Sequence, residues 1–492
     1  MKGSRSSRVA RVIGVGLACS LFAAWTLATP PAGAQADPSA SGKAYVEQFY
    51  PLWFSYHQTL LDPKNHLIGP DHISPLYQTV VAINNDTLYV SSPVDLATEP
   101  VIMTVPETTA GYSVLTLDPY GSIFDAGVPS KAYGVVKPTT VYGLIPPGYA
   151  GTLPAGVTPI QMPLVYNLMI VRIDKFSPAG VDVISTAEQF RGALKMQGLS
   201  GYQSDPAGGA TGVVPESYFA VPYKTLADEL VKNDPVTFLG QLQTAVHSSK
   251  TPPLSPQQQV LSDEFDALFG ASDKTALADG ARSAHAGILS TYLDHRGANN
   301  WIHFTNIGDW GDQVVQRSAI TEFIQYGNGI KTAAYYQAFV DGAGQPLVGT
   351  TSGGYTLTFP AGGQPPAERF WSLTAYTPES IELIPNTIDK YEVASYTPGL
   401  QANADGSVTI AIAKDQPPGV PTANWLPVSE RPFNVMLRAY GVGAGSSLAT
   451  NTYVPPPVLA AAAAAPTTTT TSTPAAVPAP ATPVPVSPSF TG

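Results

Sequence analysis

The stretch INNDTLYVSSPVDL, residues 83–96, decides how the rest of the chain is read. It begins with Asn84, Asn85 and Asp86, side chains that tolerate left-handed backbone and bond their own main chain, so they favour a turn. Leu88, Val90 and Val94 follow with the spacing of a strand, and Tyr89 lies among them. A turn of three amide and carboxylate side chains against apolar sequence either ends a strand or lines a pocket.

The second half of this stretch recurs. Tyr89 to Leu96 has a counterpart at Tyr335 to Gly342, and further landmarks repeat in the same order. VIMTVP at 101–106 resembles YTLTFP at 355–360, and GYSVLTLDPYGSI from Gly111 resembles FWSLTAYTPESI from Phe370. A Pro-Pro-Gly follows in both copies, at Pro146 and Pro417. NLMIVRI from Asn167 resembles NVMLRAY from Asn434, with the arginine one residue earlier in the second copy. Five matches in one order predict two related β-sandwiches. Asn84 to Thr87 has no counterpart at the matching positions, Ile330 to Ala333. That asymmetry marks the Asn-Asn-Asp-Thr turn as the piece with the better claim to chemistry.

Between the copies the period changes from that of strands to that of helices. Thr225 is the expected cap of one helix, Asp234-Pro235 opens another, and Ser255 with Gln258 forms a capping box for a third. Leu277, Ala281, Ala284, Ile288 and Tyr292 keep helical spacing, and 311–326 reads as one more helix. Upstream, Ala44 to Phe49 reads as helix up to an interruption at Pro51. The expected organisation is a lead-in at 40–75, a β-sandwich at 76–180, a helical domain at 181–330 and a second β-sandwich at 331–445. The 455–492 stretch is Pro, Ala and Thr without charge, a composition that cannot build a core.

The chain has 492 residues and one cysteine, Cys19. Residues 1–36 read as a cleaved secretory signal. Lys2, Arg5, Arg8 and Arg11 precede an apolar run from Val12 to Leu27, and Ala32-Gly33-Ala34 is a small-residue cleavage site. The expected location is therefore the cell envelope or the exterior. After cleavage no thiol remains, which removes disulfides, thiolate metal sites and cysteine nucleophiles. Taking the four basic residues of the signal from the 25 leaves 21 against 36 acidic ones, a net charge of −15. Such a balance argues against nucleic acid and against an anionic membrane surface as partners. No second apolar run is long enough to span a bilayer.

No nucleophile elbow, zinc-protease helix, phosphate loop or dinucleotide fingerprint is present. The candidate ligand-binding residues are Asn84, Asn85, Asp86, Tyr89, Tyr120, Arg172, Trp371, Tyr376 and Arg438. Arg172 and Arg438 fall in apolar strands, where a charge needs a partner; a salt bridge to Asp86 or Asp118 is the expectation, with anion binding as the alternative. The candidate catalytic residues are Asp86, Asp309 and Asp312, carboxylates able to act as acid and base if their surroundings differ. Capping of the helix after Asp312, with a contact to Arg317, competes with that role. His57, His66 and His72, close in sequence, are the candidate ligands of a divalent metal, although their spacing fits no regular motif, and no cofactor is predicted.

The residues AYVEQFYPLWF from Ala44, NNDTLYVSSPVDL and the strand running into VPE resemble the module called domain of unknown function 1254. DGAGQPLVG, YTLTFP, PPAERFWSLTAY, NADGSVTIAIA, NWLP and VMLRAYG resemble its companion, domain of unknown function 1214. IGDWGDQVVQRSAI resembles the link between them, and the similarity extends from about Ala44 to Gly443. The resemblance implies a multi-domain α and β protein: an N-terminal immunoglobulin-like β-sandwich, a central all-α helical domain and a C-terminal jelly-roll-like β-sandwich; the composition of 455–492 adds a disordered tail. It implies no reaction. This chain departs from the pattern at Gly111, where many relatives carry Arg before the Tyr. The functional expectation is binding of a small molecule or glycan through the β-sandwiches. A carboxylate- or metal-dependent hydrolase and a structural homo-oligomer are the alternatives.

Overall fold

The computed structural model describes residues 37–461 apart from 272, so the expected signal and the tail beyond 461 lie outside the described residues. The chain is mixed α and β, strand-rich at both ends with helices in the middle. Its strands are β1 (Ile68–Pro70), β2 (Thr87–Asp95), β3 (Val101–Val105), β4 (Tyr112–Leu117), β5 (Ile123–Phe124), β6 (Thr140–Ile145), β7 (Val157–Gln161), β8 (Tyr166–Asp174), β9 (Lys195–Gly198) and β10 (Gly212–Val214) in the first half. In the second half they are β11 (Ala333–Ala338), β12 (Tyr355–Phe359), β13 (Ala367–Tyr376), β14 (Glu392–Ala394), β15 (Val408–Ala413), β16 (Trp425–Pro427), β17 (Asn434–Val442) and β18 (Leu459–Ala460). The helices are α1 (Pro38–Gln58), α2 (Ile184–Ala193), α3 (Leu199–Ser204), α4 (Tyr223–Asn233), α5 (Pro235–Val246), α6 (Pro256–Phe269), α7 (Thr275–Leu293) and α8 (Val314–Ile324).

The sheet orders carry the internal repeat. The first module has sheets β10-β1-β2-β8-β4-β5 and β7-β6-β3-β9; the second has β11-β17-β13-β14 and β16-β15-β12-β18. Taking β2 to β9 in order onto β11 to β18 maps every neighbour onto its counterpart. Every sense agrees as well, down to the parallel pairs β6–β7 and β15–β16 among antiparallel ones. Only β1 and β10 have no counterpart among the described residues. In each module the inner faces of the two sheets share one core: Leu88, Val90, Met103, Leu144 and Val171 in the first, Leu357, Leu373, Ile410 and Leu437 in the second.

Three local expectations change. Residues 181–214 do not join the helical region. Strand β9 pairs with β3 and β10 with β1, so this segment returns to the first module's sheets. Residues 455–461 belong with the second module, where β18 pairs with β12 and Val458 is buried. Helix α1 continues through Pro51. A proline removes the donor for the carbonyl four residues back; here that carbonyl, of Glu47, accepts from Ser318 Oγ at 3.0 Å. Arg317 Nη2 donates to the next carbonyl, of Gln48. Two side chains of α8 thus bond the α1 carbonyls ahead of Pro51, and Arg317 serves this purpose instead of meeting Asp312.

Helix α1 is the axis of the helical region and packs on α5, α6, α7 and α8. Tyr45, Phe49, Tyr50 and Trp53 fill its core. Against α7 the approach is close because glycines face it: a Cβ on Gly280 would lie 2.3 Å from the Ser39 carbonyl oxygen. The Ser255–Gln258 capping box forms, and Asp234 accepts from the Thr237 amide at 3.1 Å. Thr225 is not a cap, since α4 already begins at Tyr223.

Candidate functional site

In each module the central strand of one sheet carries an arginine flanked by a tyrosine and a serine. Arg172 on β8 stands opposite Tyr89 of β2 and Ser113 of β4. Arg438 on β17 stands opposite Tyr335 of β11 and Ser372 of β13. The two arginines are equivalent in strand register, so the one-residue offset between the sequence copies disappears. Both rungs turn toward a single cavity of about 310 Å³, where Tyr89, Arg172, Tyr335 and Arg438 all form part of the wall. Other walls come from the end of α1 (His57, Gln58), the loop at 77–84, the segment from Ser217 to Tyr223 and the end of α8.

The two copies reach across to each other. Arg172 donates to the Tyr326 carbonyl at 2.6 Å and to Asn328 Oδ1 at 3.0 Å, in the loop that leads into β11. Arg438 donates at 2.5 Å to the Ala82 carbonyl, in the loop that leads into β2. Both acceptor residues, Ala82 and Tyr326, have φ of 56°. A non-glycine residue in that region is uncommon and costs about 1 kcal/mol or more unless its surroundings hold it there. Here the opposite module's guanidinium does so. Tyr376, fully buried, donates from its hydroxyl to the Ile83 carbonyl at 2.6 Å and lies 5.3 Å beneath Arg438, which stabilises both.

Asn84 lies on the cavity wall and donates from Nδ2 to Tyr440 Oη at 2.7 Å. Asn328 donates from its backbone amide and Nδ2 to Tyr335 Oη, both at 2.9 Å. The amide that precedes the first strand therefore does have a counterpart in the second copy. Asn84 donates its backbone amide to Tyr89 Oη, five residues on, at 3.4 Å, whereas Asn328 precedes its own strand tyrosine by seven, and comparison position by position misses the match.

The other candidates separate. Asp86 faces away from the cavity and accepts from Tyr396 at 2.6 Å and Thr87 at 2.9 Å. Nearby Glu392 is pushed up to about 8 by burial first and by the Asp86 charge second. Asn85 is half-buried off the cavity. Trp371 lies in the second module's core, its Nε1 on Gln364 at 3.0 Å. Tyr120 is buried beneath Arg317, 4.5 Å from ring centre to guanidinium. Asp309 and Asp312 are exposed and away from the cavity. The expected salt bridges do not form. Asp118 accepts from the Tyr120 and Ser122 amides, and neither Arg172 nor Arg438 has a carboxylate within ion-pair distance among the described residues.

The three early histidines do not converge. His57 lines the cavity, with Nδ1 2.7 Å from the Trp53 carbonyl and its pKa lowered by burial. His66 lies beside Gly212, and His72 is exposed against Asp71. The group whose ligand atoms could share an ion among the described residues is Asp228, His285 and Glu322, all within 4.8 Å of one another. Lys224 already lies between the two carboxylates, donating to Glu322 at 2.5 Å and Asp228 at 2.8 Å. Its ammonium supplies the positive charge an ion would bring, so the cluster fits a structural ionic network better than a metal site. Burial lowers His285, but hydrogen bonds to Asp228 and Glu322 outweigh it and raise its pKa to about 9. A glutamate in the apolar helix run Ala319–Phe323 was the sequence signal for this network.

Gly111 sits against the Asp174 carboxylate, and a Cβ there would lie 2.5 Å from Oδ2. Asp174 is instead paired by Arg369, from the second module.

Two family models match in order: Protein of unknown function (DUF1254) over residues 64–198 and Protein of unknown function (DUF1214) over residues 332–444. The fold is shared with the crystal structure of the VPA0106 protein from Vibrio parahaemolyticus, which is 20% identical at a TM-score of 0.54, covering 87% of this chain and 99% of that one. An uncharacterized protein from Burkholderia cenocepacia is 15% identical at a TM-score of 0.40, over 83% and 92%. No functionally curated protein matches this chain.

Proposed function

Because the chain belongs to the proteins that carry a DUF1254 module followed by a DUF1214 module, neither with an assigned activity, we propose its function from the cavity itself: an exported cell-envelope protein that binds a small molecule where its two β modules meet the helical region. The observation that carries this reading is that strands, loops and helices from all three regions contribute to one 310 Å³ space, within the size range of small-molecule sites. The same space is framed by paired rungs from a duplicated module, so the duplication itself builds the site. Of the aromatic candidates, Tyr89 lines the cavity, while Trp371, Tyr376 and Tyr120 are buried. Export is supported by the N-terminal sequence pattern. The two-sheet cores support sandwich modules, which we take as immunoglobulin-like in the first copy and jelly-roll-like in the second.

Ser91→Phe tests the reading, because Ser91 lines the cavity from β2 and a ring there fills it. Small amphiphiles such as octanol should raise the thermal unfolding temperature of the wild type and leave the variant unmoved. Equal binding by both would place the ligand elsewhere.

A further inference from the structure

We propose that the cavity takes a ligand with an oxyanion headgroup, a carboxylate or a phosphate, set against Arg172 and Arg438. This rests on the cavity reading above and narrows its ligand class. Two guanidinium groups, one from each module, line one space in a chain whose net charge is −11. Neither has a carboxylate within ion-pair distance among the described residues, and Glu392 acts on Arg438 only from farther off. Arg172 is held by a carbonyl and an amide oxygen, and Arg438 by a carbonyl. These acceptors supply hydrogen bonds but no charge.

Arg438 is only 1% exposed, and its Nη1 has no hydrogen-bond partner among the described residues. A buried cation without a counterion costs several kcal/mol, of the order measured when one partner of a buried pair is removed. The Tyr376 ring, 5.3 Å from the Arg438 guanidinium, offsets part of that cost, and the Tyr89 ring lies 5.8 Å from that of Arg172. The one carboxylate on the cavity wall, Asp62, accepts from Tyr218 Oη at 2.8 Å and pairs with neither arginine. Arginine forks match carboxylate and phosphate oxygens, so an oxyanion in the cavity supplies the missing charge. Tyrosine hydroxyls on the same wall would complete its shell. Leu61, 84% exposed at the cavity, provides an apolar contact for the remainder of the ligand.

The test measures binding of octanoate, octyl phosphate, octanol and octylamine to the full chain by titration calorimetry. One of the two anions should bind about tenfold or more tighter than octanol, and octylamine should be weakest. The tighter anion identifies the headgroup. Arg172→Met should bring that anion to the level of octanol, read as the ratio of the two affinities within the variant. Arg438→Met should do the same if it folds, and Arg172, less buried than Arg438, decides the matter if it does not. Octanol binding as tightly as both anions, or an undiminished anion preference in folded Arg172→Met, would overturn the proposal and leave the cavity reading standing. Absence of binding by all four would overturn the cavity reading and this proposal with it.

Discussion

Replacing Glu322 by Gln changes one atom at the centre of the helical region and should cost a large part of the protein's stability. Glu322 is fully buried; its Oε2 accepts from Tyr50 at 2.6 Å and its Oε1 from Lys224 at 2.5 Å. Lys224 keeps Glu322 ionised well below the usual carboxylate range, despite the opposing effect of burial. In the Gln variant, one of the two donors faces an amide NH₂. Lys224 and protonated His285 are then left with Asp228 as their only carboxylate. Breaking a buried ion pair from one side costs about 3–5 kcal/mol. The double variant Lys224→Met, Glu322→Leu removes both charges and leaves Asp228 with His285, so it should recover most of that loss. Urea unfolding followed by tryptophan fluorescence and far-ultraviolet circular dichroism measures both. A loss below about 1 kcal/mol in Glu322→Gln, or a double variant less stable than the single one, would refute the view of this cluster as a balanced buried network.

Four more outcomes are expected. His285 has a folded pKa of about 9 against 6.5 when free, so its contribution, about 3 kcal/mol, is complete below pH 6.5 and lost as pH rises through 9. Glu392, raised to about 8, acts in the same direction from pH 4.5 upward, and Glu392→Gln should flatten that part of the stability–pH curve measured in urea. Gly280→Val pushes α1 away from α7 and should lower stability by about 3 kcal/mol or more, read as the thermal midpoint. Gly111→Ala displaces the Asp174 carboxylate from Arg369 and should cost about 1–3 kcal/mol by the same assay, whereas Asp309→Ala and Asp312→Ala, both exposed, should stay within about 0.5 kcal/mol of wild type.

Much of the architecture was legible in the order of residues. The repeat, the strands around Val101 and Tyr112, the Ser255 cap and the helical middle all follow from periodicity and turn chemistry, which act over a few residues. The same locality explains the errors. Pro51 reads as a helix end because its missing donor is visible in the sequence, while Ser318 and Arg317, which compensate for it, arrive from far along the chain. Lys195–Gly198 reads as part of a helical stretch because the strand it joins, β3, lies about ninety residues earlier.

The site shows the same division. Arg172 and Arg438 stand out in the sequence as charges in apolar strands, and Asn84 and Tyr89 as polar groups around a strand start. Their joint placement on one cavity depends on how two copies of a module face each other, a matter of packing that no local pattern encodes. Asp86, in the middle of the same conspicuous turn, is turned the other way by Tyr396, which lies some three hundred residues downstream. The sequence by itself determined which residues are costly to bury. Only the tertiary structure decided that the two arginines would be exchanged between modules, bonded to carbonyls without a counterion, because each guanidinium meets the loop of the opposite copy and no carboxylate of its own.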